Sequence, residues 1–170
     1  GSIPAVVMRM ALPLIAAQLV NVLYNVVDRI YIGHIPGIGS MALTGVGIAL
    51  PVISILSAFA GLFGQGGAPL CSMARGRGDG DEASRVMGNA FSMLLVSSVA
   101  LGLLTWAFLD PVVEVFGAGE EASGYAREYL AVYLIGTTFS FVSLGMNVYI
   151  NAQGFATRGM LTVLLGAVSN

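Results

Sequence analysis

Gln18, Asn21, Asn25 and Asp28 are spaced three, four and three residues apart in the sequence. A helix turns once every 3.6 residues, so this spacing stacks three amides and a carboxylate on one face, with Arg29 about 100° away. The segment around them is apolar, and polar side chains in hydrocarbon are costly unless they turn toward a bundle interior or a water-filled cavity. The stripe is therefore read as facing a bundle interior or a water-filled cavity, where an ionisable residue such as Asp28 is a functional candidate. A helix–helix hydrogen-bond seam is the alternative. If the helix enters the bilayer near Arg9, Asp28 lies about 28 Å along it, near the far end. At that depth Asp28 is either a functional residue or an interfacial partner of Arg29 or of a headgroup, and Arg29 itself is placed to snorkel to the interface.

A second stripe joins Thr137, Ser140, Asn147 and Asn151, with Ser143 on its edge. Hydroxyl residues pack routinely between membrane helices, so Asn147 and Asn151 carry most of the signal there, with Ser140 as a further lining position. Other chemistries lack their residues. All seven basic residues are arginine, so there is no P-loop lysine and no Schiff base. Cys71 and His34 are each the sole residue of their type, which leaves no zinc cluster and no internal disulfide. His34 has no nucleophile near it in sequence, so the chain is not read as an enzyme and no cofactor is expected. A net charge of −2 with no basic run argues against nucleic acid.

The elements that must position these stripes are membrane helices. Hydrophobic residues make up 56% of the chain, charged residues 9%, and mean hydropathy is +0.87, far from the roughly 25% charged residues of soluble domains. Runs of about 20 apolar residues, the length that crosses ~30 Å of hydrocarbon, predict spans at 6–32, 41–70, 87–109 and 129–152. A fifth run, 160–170, reaches only about half the required length, so the chain reads as a fragment that stops within a span. The runs do not alternate with period two, so the class is an all-α membrane protein, a polytopic helix bundle. Arg9 is too thin an n-region for a signal peptide.

Arg9, Arg75, Arg77, Arg85 and Arg158 fall on one side of these spans, whereas the segment from Leu109 to Tyr129 holds five acidic residues and Arg127. The positive-inside rule then places the N-terminus in the cytoplasm. In "RGRGDGDEASRV", Asp79 and Glu82 have capping-box spacing for the third helix, and Pro51 and the glycines of the second span suggest a kink and close helix packing. Arg77-Gly78-Asp79 and the acidic pattern after it match adhesion and calcium-loop motifs only by coincidence. The eight methionines are read as core filler.

The segments "ALPLIAAQLVNVLYNVVDRIYIGHIPGIGSMALTGVGIALPV", "GQGGAPLCSMARGRGDGDEA", "FGAGEEASGYAREYLAVYLIG" and "NAQGFATRGMLTVLLGAVSN" together resemble the N-terminal part of the MATE (multidrug and toxic-compound extrusion) transporters, most of all the bacterial MepA-like, NorM and DinF types. The resemblance implies a partial N-lobe of a twelve-helix transporter: the first four transmembrane helices and the start of the fifth. It implies secondary active efflux of amphiphilic, mostly cationic organic compounds and drugs, in exchange for Na⁺ or H⁺. The alternatives are a lipid-linked precursor flippase of the same superfamily and a half-transporter that acts only by association. By the same resemblance Asp28, Asn147 and Asn170 are cation-coupling residues, with Na⁺ at Asp28 as the metal contact. Pro13 would bend the first helix. Membrane lipid and the missing C-terminal lobe are the implied partners, and the plasma (inner) membrane of a bacterium is the implied location.

Overall fold

The computed structural model describes residues 3–116 and 119–169. Six helices follow in order: α1 Ile3–Gly33, α2 Gly39–Gly76, α3 Gly80–Ala107, α4 Leu109–Val115, α5 Glu120–Ala152 and α6 Ala156–Ser169. Four of them, α1, α2, α3 and α5, are long and apolar enough to cross a membrane, and α6 is apolar but shorter. The helices outrun the apolar segments that predict them. Hydrocarbon thickness fixes the apolar length, whereas caps fix where a helix starts and stops.

Asp79 begins α3 seven residues before the apolar run, its carboxylate accepting the Glu82 N–H at 2.9 Å. Only half of the expected capping box forms, because the Glu82 side chain pairs with Arg85 instead. The end of α2 explains the tight turn before it. Gly78 sits at φ +80° and donates its N–H to Arg75 O, while Asp79 N–H reaches back to Ala74 O. This is a Schellman cap, in which glycine tolerates the left-handed backbone that other residues resist. Gly154 closes α5 in the same way.

Packing divides the helices into two groups. α2, α3 and α5 form a tight trio along a stripe of α2 that recurs every three or four residues: Gly45, Ala49, Val52, Leu56, Ala60 and Gly64, continuing to Ala74. Small residues on this stripe bring backbones close, which is how helices gain dispersion contact in a bilayer. A Cβ at Gly64 would stand 2.9 Å from the Gly145 Cα of α5, and one at Gly45 would stand 2.8 Å from Ala126 N. Gly47 and Gly66, equally suggestive in sequence, face open space. Polar links finish the trio: Tyr149 OH donates to Phe63 O at 3.0 Å, Ser98 to Thr138 at 3.3 Å, and Arg75 to Gln153 Oε1 at 3.2 Å.

The second group is α1 with α6. α1 packs chiefly on α6 and only lightly on α2. Among its described side chains only Ala17 is buried. Pro13 lies within α1 and helix continues on both sides of it; Pro51 and Pro69 lie within α2 in the same way. α4 is an element the sequence reading left as a connection. It forms because Leu109 and Val113, one turn apart, bury themselves at 7% and 3% exposure against the core.

Candidate functional site

The α1–α6 pair stands off from the trio across two adjoining cavities. One, of about 450 Å³, is lined by Gln18 and Asn21 of α1, Asn147 and Asn151 of α5, and Thr162 of α6. The other, of about 700 Å³, is lined by Asn21, Tyr24 and Asn25 of α1, by Ser140 and Tyr133 of α5, and by Thr162. Asn21, Ser143 and Thr162 face both. The helical spacing that stacks Gln18, Asn21 and Asn25 thus turns them, still exposed, toward an open space that they share with apolar side chains such as Leu144 and Val163.

Hydrogen bonds orient the Asn147, Asn151 and Asn25 amides. Asn147 Nδ2 donates to Gly159 O at 3.1 Å and to Thr162 Oγ1 at 2.8 Å, tying α5 to α6. Its own Oδ1 accepts from Asn151 Nδ2 at 2.8 Å. Asn151 Oδ1 is buried without a hydrogen-bond partner, packed against Gly159, where a Cβ would collide with it. On α1, Asn25 Nδ2 donates to Asn21 O at 2.7 Å and lies 3.3 Å from Asn21 Oδ1. Among the described residues no charged side chain lines either cavity.

Asp28 is half-buried and lines neither space. Tyr24, one turn before Asp28 on α1, faces the larger cavity, so the carboxylate lies one turn beyond that cavity's wall. Asn147 lies at the level of Gln18 and Asn21, and Asp28 is seven residues beyond Asn21, about 10 Å further along the helix. Asp28 and Asn147 therefore do not share a cavity. Asn170 lies outside the described residues; α6, described as far as Ser169, brings Gly166 and Ala167 to the larger cavity near Tyr24. Arg29 is exposed. No group of three His, Cys, Asp or Glu side chains that could hold a metal ion occurs among the described residues.

Two contributors escaped the sequence reading. Tyr24 had a signal, since it precedes Asp28 by four residues on the same face. Thr162 had none, being a lone hydroxyl in an apolar run.

Comparison with known proteins gives a consistent picture. The family model MatE matches residues 13–170. Multidrug export protein MepA of Staphylococcus haemolyticus is 25% identical over 164 residues, covering 96% of this chain and 36% of that protein. MepA of Staphylococcus aureus (strain NCTC 8325 / PS 47) is 26% identical over 161 residues, covering 92% and 34%. The solved structure of the MATE multidrug transporter DinF-BH, determined as a complex, superposes with a TM-score of 0.90 at 38% identity, over 98% of this chain and 37% of that one. A MOP superfamily transporter from Pyrococcus furiosus, described as having a binding pocket of reverse polarity that suggests a different function, superposes at 0.89 with 27% identity, over 98% and 36%. The chain spans about a third of the length of the relatives it matches.

Proposed function

We propose a function from one premise: the chain belongs to the MatE family. The full-length protein is a multidrug exporter of the bacterial plasma membrane, an antiporter that moves amphiphilic, mostly cationic organic compounds outward against Na⁺ or H⁺. This chain supplies part of its N-lobe, with the N-terminus in the cytoplasm. The observation that carries the reading is the pair of cavities between α1, α5 and α6 on which amides and hydroxyls converge among apolar side chains, with Asp28 one turn beyond Tyr24 of the larger one. Amide and hydroxyl oxygens with a single carboxylate at one end suit a cation and offer nothing to pair an anion.

Coupling needs only that the small cation and the drug favour opposite-facing states of the protein. Asp28 is the group whose occupancy by H⁺ or Na⁺ distinguishes those states. Asn147 orients α6 and Asn170 completes the coupling set, while Pro13 allows α1 to bend between states. Pro13 removes one hydrogen bond from the helical ladder at that point.

Efflux of a cationic dye from proteoliposomes of the full-length protein, with Na⁺ and pH gradients imposed separately, tests this reading. One gradient should drive export, and Asp28→Asn should abolish driven export while leaving the protein folded. Normal driven efflux by Asp28→Asn would sink the assignment. A flippase for an anionic lipid-linked precursor is the other reading within the superfamily. It calls for basic groups in the cavity, and both cavities here lack arginine.

A further inference from the structure

Away from the α1–α6 cavities, the outer side of the trio carries a groove between α3 and α5. It consists of two spaces that share Trp106. The first, of about 250 Å³, is walled by Val99, Gly102, Leu103, Leu134 and Ile135 beside the Ser98–Thr138 hydroxyl pair. The second, of about 230 Å³, lies past Trp106 and is lined by Asp110, Arg127 and Glu128. On α5 the lining positions 127, 131, 134 and 138 recur at helical spacing, and on α3 positions 99, 102 and 106 do the same, so the two spaces form one track. From Ser98 to Trp106 the track is about 12 Å long, most of one leaflet's share of a ~30 Å hydrocarbon core. Its walls are exposed: Leu103 is 68% exposed and Ile135 72%.

We propose that this groove holds one membrane phospholipid whose headgroup carries a primary ammonium, its acyl chain along Gly102 and its head against Arg127 and Glu128. Charge selects the occupant. Arg127 Nε donates to Asp110 Oδ1 at 2.8 Å, and that is its only ion pair among the described residues. The terminal nitrogens of its guanidinium remain as donors for a phosphate diester. Two carboxylates against one guanidinium leave a net negative charge in the second space, which an ammonium N–H can meet. A glycerol headgroup brings no cation to it, and a choline headgroup brings a cation with no N–H to donate. Trp106 stands where the apolar and charged spaces meet, the position of an amphipathic ring at headgroup level.

Native mass spectrometry of the full-length protein tests the assignment, using phosphatidylethanolamine, phosphatidylglycerol and phosphatidylcholine with identical acyl chains. The ethanolamine lipid should be retained about five-fold over phosphatidylglycerol, the effect of one interfacial charge, and about five-fold over phosphatidylcholine, the effect of one net hydrogen bond of about 1 kcal/mol. Glu128→Gln, which keeps the Arg127–Asp110 pair, should lower ethanolamine retention to the choline level. At Gly102 an added Cβ meets nothing within 4 Å, so Gly102→Leu should fill the track and weaken all three lipids while the protein keeps its melting temperature. Equal retention of the three lipids by the unaltered protein, preference for phosphatidylglycerol, or an ethanolamine preference that survives Glu128→Gln would overturn it.

Discussion

The α2–α3–α5 trio and the α1–α6 pair are both built from apolar helices, yet they are held by different physics. In the trio, glycine and alanine let backbones meet, as at Gly64 and Gly145, and hydroxyls are spent on interhelical bonds such as Tyr149 to Phe63. Between the pair and the trio, amides of α1 and α5 face each other across open volume, and among its described side chains α1 buries one alanine. A bilayer offers no hydrophobic drive between helices, so contact area must come from shape or from polar bonds. The trio relies mainly on shape and gains rigidity. The pair is tied to the trio by the bonds of Asn147 on α5 to Gly159 and Thr162 on α6, and leaves room for a ligand.

This contrast can be broken from the trio's side first. Gly64→Leu forces a branched side chain into a 2.9 Å approach to backbone, and overpacking of this kind costs about 1–3 kcal/mol or more. The melting temperature of the purified protein should fall sharply, and a variant as stable as the parent would show that the close approach is dispensable. Cysteine labelling sharpens the contrast next. Cys71, buried in the trio at 2% exposure, should resist a hydrophilic maleimide, whereas Asn25→Cys in a Cys71→Ala background should react roughly tenfold faster, in line with the dependence of thiol reactivity on exposure. Equal rates would mean that the larger cavity is closed to water.

Smaller effects belong to the pair. Asn147→Leu removes the donors to Gly159 and Thr162, and interhelical hydrogen bonds in membranes average about 0.6 kcal/mol each. A loss of about 1 kcal/mol in chemical denaturation is expected, with dye efflux reduced further than stability. Gly66→Ala should have the least effect, within about 1 kcal/mol in the stabilising direction, since a Cβ there meets nothing. Gly64 and Gly66 are two residues apart, so a shared outcome would erase the distinction between packed and open faces of α2.

How much of this was legible in the sequence follows from which contacts are local. The polar face of α1 and the Asp79 cap depend on residues within a few positions of one another, and helical spacing exposes them. Gly64 and Gly66 look alike in sequence because only the position of α5 decides which of them is pressed. The Asn147 bond to Thr162 crosses a turn, and the Gln153 bond to Arg75 joins residues 78 positions apart. Neither leaves a periodic trace. α4 was missed because its amphipathic signal is a single pair, Leu109 and Val113, next to Phe108, which interrupts the helix before it.

The packing of α1 on α6 has a consequence for synthesis. Ala17 and Thr162 are separated by some 145 positions, so α1 leaves the ribosome long before its main partner exists. At about 5–20 residues per second, that interval lasts roughly 10–30 s. Throughout it Gln18, Asn21 and Asn25 have no α6 to face, and the insertion machinery or a transient neighbour must shelter them. α1 is therefore secured well after it is made, and a translational pause before α6 would prolong the period in which it can be lost to a wrong partner.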